Sequence, residues 1–440
     1  MTFTWRGFLV FIPCFCALCF CSYKGLAQEG DDDYVNQGLR YDNFTYKTSI
    51  RTVQFHHQSS EYALPILELG SGEQLQLNFD DLDGDHKLYS ISFVYCNADW
   101  SPSTLMISET MEGYYDININ TFSYSMNTVQ KYTYYSIVFP QNYLRFTKSG
   151  NYIVYVYEGG DKKNLVLSRR FLVYDNKASI DVSVRQPIAG DKQFSQQQID
   201  FTVSGINYTL NNPYRDVYVV LQQNHRWDNA VMGVKPTFIN GNSLEYSLND
   251  ACIFDGGNEF RYFDIRSTRF LTERVKEIYR DQSYKFHAVL INETNRRNMP
   301  YLFYNDIDGE YEIMNSETYG HPETEADYVD VHFFLPYPDP ETKGNFYIMG
   351  RLSDWRMNRA SKLTYNPQRF GYETVLNLKQ GYYNYCYVFS SDDKKGGDQG
   401  LVEGNYWDTE NTYDILVYHR QFGTYYDQLI GHRKFSSFKR

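Results

Sequence analysis

The sequence predicts an all-β chain folded into three consecutive β-sandwiches. Three observations carry this. Apolar and polar residues alternate with a period of two in many short runs, as where Ile180, Val182 and Val184 interleave with Asp181, Ser183 and Arg185. Aromatic residues make up 18% of the chain, with 43 tyrosines and 30 phenylalanines, the types that suit pleated, half-buried surfaces. A length of 440 residues exceeds a single sandwich, and turn formers punctuate it at short intervals.

The N-terminus reads as an export segment over residues 1–27. Arg6 precedes an apolar run, residues 8–21, and Gly25 and Ala27 place small side chains where a signal peptidase reads them. Cleavage is therefore expected between Ala27 and Gln28. The run is too short for a comfortable membrane span, and no other stretch is apolar enough for one, so no direct membrane insertion is expected. Acylation of Cys21 is the alternative, but Phe20 before it is larger than a lipoprotein pattern accepts. Cys14, Cys16, Cys19 and Cys21 all lie in this segment. The remaining Cys96, Cys252 and Cys386 fall one per expected sandwich, which predicts buried free thiols rather than a disulfide framework. The net charge of −12 becomes more negative once Arg6 and Lys24 are removed, and it argues against a nucleic-acid surface.

Residues 28–43 form a polar, acidic lead-in containing Asp31, Asp32 and Asp33. The first sandwich is expected over 44–176. Its most marked stretch is 75–103, LQLNFDDLDGDHKLYSISFVYCNADWSPS. Leu75, Leu77 and Phe79 share one strand face, Tyr89, Ile91, Phe93 and Tyr95 share another, and Gly84 supplies the positive φ of a tight turn. The expectation is a β-hairpin with an acidic tip of Asp80, Asp81, Asp83 and Asp85. A second hairpin is expected where Gly159 and Gly160 separate runs 152–157 and 165–174. The middle sandwich is expected over 177–314, with a short helix at 271–280. Residues 315–326 read as a polar linker, and 327–440 as the C-terminal sandwich. There, a turn at Asp354 and Trp355 precedes strands opening at Gly371-Tyr372-Glu373 and Gly381-Tyr382-Tyr383. This order resembles the early-set, Ig-like sandwich that glycogen-binding modules share.

The wording of several stretches adds a stronger resemblance. FDDLDGD with YCNADWSPS, GGNEFRYFDIRS, EADYVDV, GYETVLNLKQGYYNY and EGNYWDTENTYDILVY follow one another in the order found in the plug proteins of the type IX secretion system, a family of Bacteroidetes periplasmic proteins. The resemblance covers nearly the whole mature chain. It implies a non-enzymatic accessory of the outer-membrane translocon that closes the periplasmic mouth of the secretion barrel, as a monomer within a larger complex. The acidic tip, Asp80, Asp81, Asp83 and Asp85, is the candidate contact with the barrel rim.

Other chemistry finds little footing. Calcium in an EF-hand loop with Gly84 sixth would place Phe79 first and Ser90 last, where acids are required. His56 and His57 are adjacent and point to opposite faces of a strand. HExxH, G-x-S-x-G and P-loop motifs are missing from the sequence, and no cofactor is expected. Paired carboxylates are plentiful, as at Glu403, Asp408 and Glu410, and leave a glycosidase pair open. The alternative function is glycan binding by the C-terminal sandwich, with Trp355, Tyr382 and Trp407 as a stacking platform.

Overall fold

The computed structural model describes Met1 and residues 38–438, apart from 189, 191, 319, 394 and 395. The cleavage site at Ala27 and Gln28 and most of the expected lead-in lie outside the described residues. The fold is all-β, as expected. The described residues form three sandwich cores.

In the first core, strands Gly150–Glu158 and Leu165–Tyr174 form the expected hairpin, and Tyr89–Cys96 pairs with the free side of Gly150–Glu158. The facing sheet holds Ile50–His57, Leu75–Asp81, Thr133–Phe139 and Thr121–Tyr124. Leu75–Asp81 and Tyr89–Cys96 therefore do not form a hairpin. The chain arches from one sheet to the other, so Leu77 and Phe79 meet Ile91 and Phe93 across the core. The alternating residues are buried as expected, but a period of two reports which face is buried, not which strand is the neighbour.

The second core is discontinuous. Ala178–Arg185, Gln196–Gly205 and Ile253–Asp255 lie in one sheet. The facing sheet pairs Val217–Gln223 with Thr412–His419, which pairs in turn with Gln428–Ser436. The last two strands thus return to the second core, and Tyr413, Ile415 and Val417 pack beside Val219 and Leu221.

The third core is built from the segment between. Arg261–Asp264, Tyr311–Ile313 and Gly344–Met349 all pair with Gly381–Ser391. The opposing sheet runs Val275–Arg280, Phe286–Leu290, Tyr328–Pro336, Gly371–Lys379, Thr364–Asn366. Two expectations are corrected here. Residues 275–280 are a strand, not a helix, and the charged Lys276, Glu277 and Arg280 suit its position at the sheet edge. Residues 315–326 join the two sheets of this core instead of separating two sandwiches, so the expected boundaries 177–314 and 327–440 do not match the cores.

A fourth apolar layer fuses the first and second cores. Ile153, Tyr155 and Leu172 from one sheet pack against Val220, Leu416, Tyr418 and Leu429 from the other. Strands here are buried on both faces, which explains the near-continuous apolar run at 413–418. Cys96, Cys252 and Cys386 are free and buried.

Candidate functional site

The acidic arch splits into two halves with different roles. Asp80 and Asp81 are the last residues of their strand and are buried. Asp80 Oδ2 accepts from Lys379 Nζ at 2.7 Å and from the Tyr328 hydroxyl at 2.6 Å, so it ties the first core to the third. Burial raises its carboxyl and lowers the Lys379 ammonium, because desolvation penalises both charges. Asp81 Oδ2 pairs with Lys87 at 2.8 Å and accepts from the Tyr89 hydroxyl at 2.9 Å. Burial opposes its charge, but these bonds and the Asp83 N–H outweigh it and hold Asp81 below its usual range. Neither residue is free to meet a partner, which corrects the expectation that all four acids form an exposed tip. Asp83 and Asp85 remain exposed, both drawn towards Lys87. Leu88, 71% exposed, stands beside them.

The same seam carries further bonds between the first and third cores. Asp327 accepts from the Val129 and Gln130 amides at 2.5 and 3.0 Å, and the Tyr132 hydroxyl donates to the Ala326 carbonyl at 2.8 Å. Arg351 pairs with Glu310 at 2.5 Å and donates to the Glu61 carbonyl at 2.7 Å, while Arg169 pairs with Asp354 at 3.0 Å.

Where the three cores meet lies a cleft of about 610 Å³, with Phe55, Trp100, Arg170, Trp227, Arg351 and Trp355 among its lining residues. Trp355 stands edge to face with Phe260 at 5.8 Å. Both indole and phenyl press on Gly309, where a Cβ would come within 2.3 Å of Trp355 at a φ of +78°, so only glycine fits. The proposed stacking platform is not assembled. Tyr382 stacks on Tyr262 at 5.7 Å, Trp407 packs on Phe438 at 5.4 Å, and neither lines the cleft that holds Trp355.

Glu403 is buried between two arginines. Arg261 Nε reaches both its oxygens at 3.0 Å and Arg296 Nε one of them at 2.8 Å. Burial works against the charge, but Arg261 and Arg296 prevail and hold the carboxyl below its usual range, which unsuits it for general acid work at neutral pH. Arg261 and Asp264 take separate partners, Asp264 bonding to Arg266, as their opposite faces on one strand required. Among the described residues no three metal-ligating side chains group together, and no helix is long and apolar enough to cross a membrane.

None of the curated proteins matches the chain. Among solved structures, a hypothetical protein from Parabacteroides merdae is 32% identical over 91% of this chain and 100% of its own, with a TM-score of 0.87. A protein from Corynebacterium diphtheriae covers 87% of this chain and 91% of its own at 8% identity, with a TM-score of 0.13. Residues 50–175, the first core with its acidic arch, match the family model described as the type 9 secretion system plug protein 1st domain. Residues 50–175 therefore carry the first domain of a type IX secretion system plug protein.

Proposed function

We propose that the chain is a non-enzymatic, periplasmic accessory of type IX secretion that occludes the periplasmic opening of the outer-membrane translocon barrel. The family match over residues 50–175 carries this reading. The fold supports it physically. Closing a wide pore needs a stiff body and a broad contact, not chemistry. Here three cores are joined by an apolar layer and by buried ion pairs, so they resist moving apart. Such a contact buries about 1,200–2,000 Å² in total and, because it must release, is polar rather than oily. The exposed half of the arch, Asp83, Asp85 and Leu88, is the contact loop, its acids facing Lys or Arg on the barrel rim.

The test is conductance through the purified, substrate-free barrel in planar bilayers. Adding the mature chain should abolish open-channel current, and the chain should co-purify with the barrel from native membranes. A barrel that stays closed without the chain, together with a chain that never co-purifies, refutes the reading.

A further inference from the structure

The cleft between the three cores contains a cation, Arg170, with no ion pair of its own among the described residues; the carboxylate that acts on it from a distance, Asp42, is shared with Arg40 and Arg356. Arg170 lies 4.4 Å from the ring centre of Trp100 and 5.1 Å from that of Trp227, and the two indoles meet edge to face at 5.2 Å. Its Nε donates to the Tyr41 carbonyl at 2.9 Å. No carboxylate lies within ion-pair distance of its guanidinium among the described residues. The other arginines lining the cleft are paired: Arg40 and Arg356 with Asp42, Arg169 with Asp354, Arg351 with Glu310. Burial lowers the Arg170 guanidinium to about 10, the cost of holding that charge out of water.

Two more donors in the lining lack an acceptor. Trp100 Nε1 and Gln222 Nε2 are buried with no hydrogen-bond partner, each in a residue only 3% exposed. Buried donors left unsatisfied cost free energy that an acceptor restores. A planar guanidinium, an indole N–H and a carboxamide N–H are all donors at these atoms, so the missing group is an acceptor-rich anion, and the arginine fork fits a carboxylate with two parallel bonds. The volume lies in the range of small-ligand sites, and Phe55, Leu64 and Met357 give it an apolar wall. Asp99, Asp392 and Asp393 line the same cleft and are exposed, so multiply charged anions are repelled.

We infer that this cleft binds a single carboxylate attached to an apolar or aromatic body, held by Arg170, Trp100 Nε1 and Gln222 Nε2. The inference goes beyond pore occlusion and does not depend on it. A free organic acid and the C-terminal residue of a polypeptide carry the same chemistry.

Calorimetric titration of the full mature chain tests it. The probes are N-acetylphenylalanine, its C-terminal amide, and the acetylated tripeptide Ala-Ala-Phe as acid and as amide. Saturable binding of the acids, with the amides at least about tenfold weaker, is expected from loss of a charge-assisted bond. Arg170→Gln should abolish it. Because Arg170 also braces two indoles, Trp100→Phe and Gln222→Leu provide gentler tests, each lowering affinity about fivefold or more. Tighter binding of the tripeptide identifies a polypeptide terminus as the source, and equal binding identifies a small acid; both support the inference. Equal affinity for acids and amides, unchanged affinity in all three variants, or no saturation with any probe overturns it. So does binding of a neutral glucan that Trp355→Ala removes while the acids fail to bind.

Discussion

Removing the ammonium of Lys379 tests whether the first and third cores act as one cooperative body. Lys379 Nζ donates to Asp80 Oδ2 and to the Glu323 carbonyl, both at 2.7 Å, and lies 4.1 Å from the ring centre of Tyr132. Both side chains of the pair are 1% exposed. Lys379→Met keeps the apolar stem and leaves the Asp80 carboxylate with the Tyr328 hydroxyl as its remaining side-chain donor. Removing one partner of a buried pair costs about 3–5 kcal/mol, because the other charge is stranded in a low-dielectric seam. Asp80→Leu strands Lys379 in the same way and should cost a similar amount. Replacing both is different. The seam becomes apolar, Tyr328 keeps its bond with Thr52 Oγ1 at 2.6 Å, and the double variant should fall within about 2 kcal/mol of the parent. The expected coupling is at or above the upper end of the usual range, about 3 kcal/mol. The assay is urea unfolding read by tryptophan fluorescence and near-ultraviolet dichroism, since several cores need not melt together. Single variants that each cost under about 1 kcal/mol, or a double variant whose cost is the sum of the singles, refute the reasoning.

Four further outcomes are expected. Glu403→Gln leaves Arg261 and Arg296 without their shared anion and should cost about 3–5 kcal/mol at pH 7. Since the folded state depresses this carboxyl, the stability it contributes is present above its unfolded value and lost as pH falls, so the difference in urea midpoint should shrink towards pH 3. Asp306 has the opposite sign: burial pushes it up to about 7, so its contribution is present in acid and lost as pH rises from about 4 to about 7; Asp306→Asn should flatten that slope in urea midpoints. Asp83→Asn with Asp85→Asn should leave stability within about 0.5 kcal/mol, since both acids are exposed, while weakening pull-down by the translocon barrel and making what remains less sensitive to salt. Truncation after residue 410 removes two strands from the second core and Leu416, Tyr418 and Leu429 from the apolar layer, and should leave no cooperative unfolding transition for that core in calorimetry; a truncated chain with native near-ultraviolet dichroism would contradict the interleaved arrangement.

Much of this fold was legible because burial writes itself into alternation. Leu75, Leu77 and Phe79, the hairpin of 152–174 and the three lone cysteines all sit where their patterns place them. Partnership is a different quantity. A strand that turns back on its neighbour and one that arches to the facing sheet bury the same side chains, so nothing in 75–103 distinguishes them. The return of Thr412–His419 to the second core has the same cause: its pairing with Val217–Gln223 spans almost two hundred positions, and local pattern carries no address over that distance.

The site residues follow the same division, with one instructive exception. Asp80 and Asp81 read as a turn because acids beside glycine usually lie in turns, yet the strand runs through them. What makes Asp80 a buried clamp is Lys379, 299 positions away, and no local reading supplies it. Arg170 is different. It stands in the strand Leu165–Tyr174, next to Arg169, with Phe171, Leu172 and Val173 following. Two arginines inside such a strand must each find a partner or a cavity, because a buried guanidinium without one is too costly to keep. Arg169 finds Asp354 and two carbonyls. Arg170 has the Tyr41 carbonyl, two indole rings and the cleft, and among the described residues it makes no ion pair of its own.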